Sequence, residues 1–245
     1  MTLVENFVDI ETATGIMRSH TIRPIEKKAY PTIVLFSEIY QVTDPIRRTA
    51  SILAGNGYLV IIPEVYHEYE ALGTVLEYDP IGTDRGNELK TTKPVEAFDS
   101  DNEALILFLK KYEFCNGKIG SMGMCLGGHL AFRAAMFQEV IATACFYATD
   151  IHKRSLGKGM NDNSLDRVGE IGGELCMFWG RQDPHVPMEG RQSIYKTLEE
   201  NQVYFQWHEV NAAHAFLRDQ GPRYDPALAN QCYNIVLEMF HRLLN

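Results

Sequence analysis

The chain of 245 residues has no long hydrophobic run and no excess of basic residues. A membrane-spanning helix needs about 20 consecutive apolar residues, whereas apolar stretches such as residues 58–62 are only long enough for a strand. The net charge of −9, with no long basic run, argues against nucleic acid or an anionic membrane surface as a partner. The first residues also lack the basic and apolar regions of a secretory signal. These absences predict a cytoplasmic protein with neither membrane nor nucleic-acid partner.

Cysteine is scarce, and the five cysteines do not form a metal-binding pattern. No Cys-x-x-Cys or Cys/His pair has the spacing of a zinc site, so no metal is expected. An odd number of cysteines without a signal peptide favours free thiols in a reducing compartment. The sequence also contains no repeat, no low-complexity tract and no linker rich in proline or glycine. Residues 1–245 are therefore expected to form a single domain.

Short apolar runs alternate with amphipathic segments along most of the chain. The runs have the composition of strands buried on both faces, and the segments have apolar residues at helical spacing. The predicted strands are 33–36, 58–62, 118–120, 141–146, 175–179 and 202–209, and the predicted helices are 45–56, 95–112, 127–137, 186–201 and 226–244. Residues 6–11 and 15–23 are predicted to form a hairpin at the sheet edge. This alternation predicts an α/β fold with a mainly parallel sheet and helices on both faces.

Residues 63–94 have weak periodicity and many polar side chains. A connection of this length is typical of a lid or a binding loop, so the segment is predicted to contribute to substrate binding. Its aromatic residues either line a binding wall or pack within the loop, and the sequence leaves both interpretations open. These residues are Tyr66, His67, Tyr69 and Tyr78.

The most informative motif is Gly-x-Cys-x-Gly at residues 123–127, with an apolar run before it and a helical pattern after it. Gly-x-Ser-x-Gly at a strand-to-helix turn is the nucleophile elbow of α/β-hydrolases, and Cys125 stands at the position of its serine. The N-terminus of the following helix points at Cys125, where its free amides favour a thiolate and an oxyanion. A buried structural cysteine beside a glycine turn is the alternative, and the motif alone does not decide between the two.

Two further residues occur in the chain order of an α/β-hydrolase, in which the nucleophile precedes the acid and the acid precedes the histidine. Asp183 follows the predicted strand 175–179, at the edge where α/β sheets bind ligands. His214 follows the predicted strand 202–209, whereas His208 lies inside that strand and fits the role less well. Taken alone, Asp183 is more often a turn residue and His214 a surface residue. In this order and at these strand ends, they predict a Cys-His-Asp triad.

With these motifs the sequence resembles the dienelactone hydrolase family (carboxymethylenebutenolidases) of the α/β-hydrolase superfamily. The resemblance rests on the elbow, on residues 180–187 and 214–218, and on residues 36–40, which are similar to the family's Glu-Ile-Phe motif at a strand end. It covers the chain from residue 33 to the C-terminal helix. It implies an α/β-hydrolase fold and a cysteine hydrolase that opens lactones or cleaves small activated esters through an acyl-enzyme, without a cofactor.

The resemblance also implies roles for residues outside the triad. Glu38 matches a glutamate that contacts the resting thiol and controls its ionisation, and Tyr40, in the same motif, is implied to bind substrate. The backbone N–H groups of Ile39 and Leu126 match the oxyanion hole, in which the residue after the nucleophile and an early loop each supply one donor.

Two arginines are implied to bind a carboxylate on the substrate. Arg218 matches one of the family's arginines, and Arg85 lies roughly where the other is expected, at a different offset. Thr92 and Val95 stand where family members have an aromatic pair, and Ala215 stands where a serine often follows the histidine. These departures do not affect the residues that carry the implied chemistry. They do leave the identity of the substrate open.

Two other functions remain open from the sequence. One is a non-catalytic α/β-hydrolase-fold protein that binds a small ligand or senses oxidants through Cys125, although no resolving cysteine is close to it in sequence. The other is an esterase or thioesterase for an unrelated substrate, which a fold and a triad do not exclude. The complete set of triad residues in the right order favours the enzyme.

Overall fold

One eight-stranded sheet runs through the molecule, for which the computed structural model describes residues 1–245. The strands are β1 (Leu3–Thr12), β2 (Gly15–Pro24), β3 (Tyr30–Phe36), β4 (Leu59–Pro63), β5 (Cys115–Met124), β6 (Val140–Phe146), β7 (Glu174–Gly180) and β8 (Phe205–Val210). Their order is β1-β2-β4-β3-β5-β6-β7-β8. The β1–β2 hairpin pairs antiparallel to β4 at one edge, and every other pairing is parallel. The predicted mainly parallel sheet is thereby confirmed.

Helices cover both faces of this sheet. They are α1 (Asp44–Gly55), α2 (Pro80–Thr92), α3 (Val95–Leu109), α4 (Leu126–Ala134), α5 (Met188–Glu200) and α6 (Pro226–Leu244). Apolar residues of α1 and α6 share one core with the sheet, and those of α3, α4 and α5 share the core on the opposite face. Every residue of β3, β4 and β7 is buried, which explains why these strands are continuously apolar in sequence. None of the helices combines the length and the apolar composition that a membrane span requires.

The segment 63–94 is not a loop throughout, because α2 occupies its C-terminal part. The helix begins with Asp79, whose carboxylate accepts a hydrogen bond of 2.7 Å from the Gly82 N–H, followed by Pro80 in the first turn. Its buried residues are Gly82, Gly86 and Leu89. Two of these three are glycines, so the buried face produces almost no apolar periodicity and the helix escapes detection from the sequence.

A buried lysine anchors the remainder of that segment to the body of the fold. The Lys93 ammonium group is fully buried and donates hydrogen bonds to the Val65 carbonyl (2.9 Å), to Glu68 (2.8 Å) and to Asp101 of α3 (2.5 Å). A buried charge is tolerated only where it is paired and hydrogen-bonded in this way. The contacts therefore hold the start of the segment in one position relative to the sheet.

Candidate active site

The carboxyl ends of the parallel strands open onto one cavity of about 310 Å³. Residues that follow five different strands line it: Glu38 after β3, Cys125 after β5, Asp150 after β6, His185 after β7 and His214 after β8. Ligands of open α/β sheets bind at this edge, where the strand ends and the helix N-termini meet. The segment 63–94 contributes to the same wall through α2.

Cys125 occupies the turn between β5 and α4 and has the strained backbone of a nucleophile elbow. Its φ of 57° and ψ of −121° lie in a region that residues with a side chain rarely adopt. Four hydrogen bonds hold the turn: the Cys125 N–H donates to the Phe146 carbonyl (3.0 Å), and its carbonyl accepts from the N–H groups of Gly128 (3.1 Å), Thr149 (3.2 Å) and His129 (3.4 Å). The half-buried thiol is thereby presented to the cavity at the N-terminus of a helix.

The glycines of the elbow allow α4 to pass very close to the end of β3. A Cβ atom on Gly127 would lie 2.2 Å from the Phe36 carbonyl oxygen and 2.4 Å from that of Ser37. Both oxygens belong to the backbone that leads directly into Glu38. Gly127 therefore sets the distance between the nucleophile turn and the segment that carries Glu38 and Ile39.

We expect Gly127→Ala to lower the free energy of unfolding by about 3 kcal/mol or more, because neither backbone oxygen can move without displacing β3. Urea unfolding followed by circular dichroism measures this change. Gly55→Ala is the control, because a Cβ atom there meets nothing within 4 Å and the site lies in a helix. We expect Gly55→Ala to be neutral or slightly stabilising. Equal unfolding midpoints for the two variants would contradict the role assigned to Gly127.

Asp183 and His214 are in direct contact. His214 Nδ1 and Asp183 Oδ2 are 2.7 Å apart, and the other carboxylate oxygen accepts a hydrogen bond of 2.8 Å from the His185 N–H. Both side chains are buried. Burial raises the pKa of Asp183, but the hydrogen bond and charge of His214 together with those of His185 outweigh burial, and the net pKa is lowered. The carboxylate is therefore ionised and holds the imidazole in one orientation.

The pKa of His214 lies well above its usual value. Burial alone lowers it, but the negative charge of the Cys125 thiolate and the hydrogen bond to Asp183 raise it by more. The raised pKa favours the form of His214 that carries a proton. Protonated His214 can therefore act as a proton donor in the cavity that the Cys125 side chain lines.

Two aromatic rings fix the orientation of the His214 imidazole. Tyr147 packs edge-on against it at a centroid distance of 4.9 Å, and His185 does so at 4.6 Å. Sequence reasoning missed His185, although its position two residues after Asp183 was a signal that it lies near the acid. His185 thus contacts both Asp183, through its backbone, and His214, through its ring.

Glu38 is buried and paired with Arg218 rather than free in the cavity. An Arg218 guanidinium nitrogen lies 3.4 Å from the Glu38 carboxylate, and the Tyr78 hydroxyl donates to the same oxygen at 3.3 Å. The guanidinium group also lies 4.2 Å from the centre of the Tyr78 ring, within the range of a cation–π interaction. Glu38 was predicted to control the thiol, and Arg218 was predicted to bind a carboxylate on the substrate. In the structure these two residues form one ion pair on the cavity wall.

The two backbone N–H groups predicted to form an oxyanion hole are free to bind a ligand. Ile39 lines the cavity, and Leu126 is the first residue of α4. Neither backbone N–H donates a hydrogen bond within the protein. Free donors at a helix N-terminus and in the loop after β3 are suited to stabilising a negative oxygen in a transition state.

The structure does not bring Arg85 to the cavity. Its guanidinium group is paired with Glu70 (2.7 Å) and Glu88 (2.8 Å). Arg85 points away from the cavity because it lies two positions from the cavity-facing residues Thr83 and Asn87. Two positions correspond to a rotation of about 200° around the helix. The residues of α2 that do face the cavity are spaced by four and three positions, and sequence reasoning missed them: Thr83, Asn87 and Lys90. Placing the helix start at Asp79-Pro80 would have identified this face.

The aromatic residues of the segment mostly pack against protein rather than line the cavity. Tyr66 is buried with its hydroxyl 3.2 Å from the Gly86 carbonyl, and the buried His67 ring lies 3.1 Å from Asp101. Tyr78 packs edge-on against Tyr40 at 4.5 Å. None of the aromatic residues of the segment lines the cavity, whereas Tyr40, after β3, does so with its hydroxyl 2.9 Å from that of Thr83.

Two histidines that line the cavity and the buried Asp183 behind them have the donor set of a metal site. Ligand atoms of Asp183, His185 and His214 lie within 4.8 Å of one another. A metal requires neutral imidazoles, however, and the raised pKa of His214 favours its protonated form. The hydrogen bond between His214 and Asp183 therefore fits a catalytic pair better than a pair of metal ligands.

Comparison with known proteins identifies the family. The family model "Dienelactone hydrolase family" matches residues 17–244. A "Putative carboxymethylenebutenolidase" of Saccharomyces cerevisiae is 43% identical over 256 residues, covering 100% of this chain and 93% of the yeast protein. The carboxymethylenebutenolidase of Pseudomonas putida is 31% identical over 84% of each chain.

The fold also matches a solved structure, a "Putative Dienelactone Hydrolase" from Klebsiella pneumoniae, with a TM-score of 0.83 and 18% identity over 99% of this chain and 100% of that one. At this identity the match shows the fold alone, and the family follows from the sequence matches. The chain therefore belongs to the dienelactone hydrolase family and is an ester or lactone hydrolase with the α/β-hydrolase fold.

Proposed function

We propose that the protein hydrolyses small lactones or activated esters through a Cys125-His214-Asp183 triad and an acyl-enzyme. The observation that carries the proposal is the 2.7 Å contact between His214 and Asp183 in a cavity that Cys125 enters from a strained elbow. No second cysteine lines this cavity, so it offers no resolving thiol for the redox-sensing alternative. The family membership and the names of the relatives support a lactone or ester as substrate.

The reaction follows from the charges of the site. The Cys125 thiolate attacks the carbonyl carbon, and the resulting oxyanion accepts hydrogen bonds from the N–H groups of Ile39 and Leu126. His214 gives its proton to the leaving oxygen as the C–O bond breaks, which leaves a thioester on Cys125. His214 then takes a proton from water as that water attacks the thioester, and the acid product leaves with the thiolate restored. Asp183 keeps the imidazole oriented in both steps.

We assign Glu38 the control of the thiol's ionisation, as the resemblance implied. What supports this assignment is position: Glu38 lines the same cavity as Cys125, and its ion pair with Arg218 holds the carboxylate on the cavity wall. Tyr40 and Arg218 form part of the substrate-binding wall. Arg85 has no such role in our proposal, because its charge is compensated by Glu70 and Glu88.

Three further assignments concern the domain, the cofactor and the cellular compartment. We regard residues 1–245 as one catalytic domain in which residues 63–94, including α2, form the substrate-binding wall. The chemistry needs no cofactor. All five cysteines are free thiols, which supports a reducing compartment such as the cytoplasm.

The proposal is tested by trapping the acyl-enzyme. Mixing the protein with 4-nitrophenyl acetate and quenching in acid should give a burst of nitrophenol and an acetylated protein, with the acetyl group on the peptide that contains Cys125. Because the adduct is a thioester, hydroxylamine should remove it. Cys115 is the internal control, since it is also half-buried but lies outside the cavity. Acetylation of Cys115 to the same extent, or a burst without any adduct on Cys125, contradicts the mechanism.

A further inference from the structure

A second imidazole, that of His185, lies beside the catalytic pair and has no part in the triad. It lines the same cavity as Cys125 and His214, and it is exposed, whereas His214 is buried. Two rings pack edge-on against His214: that of His185 lines the cavity, and that of the buried Tyr147 does not. His185 therefore flanks His214 on the side that is open to the cavity.

The position of His185 is fixed by the same carboxylate that holds His214. Its backbone N–H donates to Asp183 Oδ1 at 2.8 Å, and Asp183 Oδ2 lies 2.7 Å from His214 Nδ1. A ring nitrogen of His185 lies within 4.8 Å of a ring nitrogen of His214, with no direct hydrogen bond between the two rings. A single water molecule can bridge two groups about 5 Å apart, because each of its hydrogen bonds is about 2.8 Å long.

The His185 ring is free to bind that water. Neither of its ring nitrogens forms a hydrogen bond within the protein, since its one hydrogen bond is made by the backbone. Partial burial lowers the pKa of His185, and the positive charge of His214 lowers it further, so the ring is neutral at pH 7. A neutral imidazole has one nitrogen that accepts a hydrogen bond, which a protonated imidazole lacks.

Hydrolysis of an acyl-enzyme needs a water molecule in a defined position. Burial lowers the pKa of His214, and the negative charge of Cys125 is the largest effect that raises it. Acylation removes that charge, so the imidazole can lose its proton and accept one from water. Because Nδ1 contacts Asp183, only Nε2 is left for the water. An ordered water usually has two to four partners, so His214 alone does not hold it in place.

We propose that His185 is the second partner of the hydrolytic water, and that it speeds deacylation without affecting acylation. The water donates one hydrogen bond to His214 Nε2 and one to the free ring nitrogen of His185, which leaves an oxygen lone pair for the thioester carbonyl. As the new C–O bond forms, His214 takes one proton. The C–S bond then breaks with its electron pair on Cys125, and the second proton stays on the acid product. The inference rests on the proposed hydrolysis at Cys125.

The role is tested with His185→Phe, which keeps an aromatic ring against His214 but has no ring nitrogen. The enzyme, in excess, is mixed with 4-nitrophenyl acetate and quenched in acid at successive times. The mass of the peptide that contains Cys125 then gives separate rates for formation and loss of the acetyl group. We expect formation to change less than about twofold and loss to slow about tenfold. His185→Gln restores a hydrogen-bonding group without the ring and should recover part of the loss rate.

Hydroxylamine distinguishes a missing water site from a distorted triad. It attacks a thioester itself, without a bound water, so it should remove the acetyl group equally fast from the wild type and from His185→Phe. His208→Phe is the matched control, because His208 is half-buried, stacks on Phe178 at 4.8 Å and does not line the cavity. It should leave both rates unchanged.

The outcomes separate the water site from the proposed function. An acetyl group that forms on Cys125 but is lost at the wild-type rate from His185→Phe overturns the water site and leaves the triad intact. Equal slowing of formation and loss also overturns it, because His185 would then act only by supporting the His214 ring. If the wild type forms no adduct on Cys125, the triad fails, and the water site fails with it.

Discussion

Replacement of Cys125 by alanine is expected to lower kcat for ester hydrolysis at least about a thousandfold, because no other group in the cavity can form the acyl intermediate. Cys125 is the only cysteine that lines the cavity, and its strained backbone is held by hydrogen bonds to β6, to α4 and to Thr149 in the loop after β6. Steady-state hydrolysis of 4-nitrophenyl acetate and a small panel of lactones measures the loss. The alanine variant should keep the fold, because it removes one half-buried sulfur atom from a turn whose hydrogen bonds are made by the backbone.

Two variants make this result specific. Cys115→Ala removes a half-buried thiol at the start of β5 and should leave the activity unchanged. Cys125→Ser keeps a nucleophilic atom at the elbow, but a hydroxyl is far harder to ionise than a thiol, so we expect activity between those of the wild type and the alanine variant. An alanine variant that retains more than about a tenth of the wild-type rate would show that hydrolysis takes another route.

Asp183→Asn is expected to lower kcat about a hundredfold or more, because the amide neither orients the imidazole in the required tautomer nor stabilises its positive charge. It should also change the pH dependence. The hydrogen bond to Asp183 raises the pKa of His214, so its loss lowers that pKa. Since the proposed mechanism requires a proton on His214, the alkaline limb of the pH–rate profile should move to lower pH by about one unit or more.

The matched control is another buried aspartate next to a histidine. Asp162 lies 3.5 Å from His129 outside the cavity, and both side chains are fully buried. Asp162→Asn should lower the free energy of unfolding and leave the alkaline limb in place. A pH–rate profile that is the same for Asp183→Asn and the wild type would remove Asp183 from the catalytic assignment, whatever the change in kcat.

The fold was largely predictable because its main elements carry strong periodic signals. The central strands are buried on both faces and therefore read as unbroken apolar runs, and α6 has the bounds expected from its apolar spacing. Helix α2 was missed because two of its three buried residues are glycines, which carry no hydrophobic signal. A cap followed by proline at Asp79-Pro80 was the only local sign of it.

The residues of the candidate site were also only partly predictable from the sequence. Cys125, Asp183 and His214 were recognisable because each follows a strand, and parallel strands end at one edge of the sheet. Side-chain direction within a helix is different, since it depends on where the helix begins. That is why Arg85 was expected at the substrate, whereas Lys90, five residues later, faces the cavity.

The sequence by itself determined the fold class, the family and the residues of the predicted triad, because local patterning and chain order are sufficient to specify them. Only the tertiary structure decided which charges neutralise one another. Glu38 and Arg218 are 180 positions apart in the chain, yet they form one ion pair, whereas Lys153 and Arg223 face the same cavity without partners. Coulomb energies depend on distance and burial in three dimensions, and no spacing along the chain reports either.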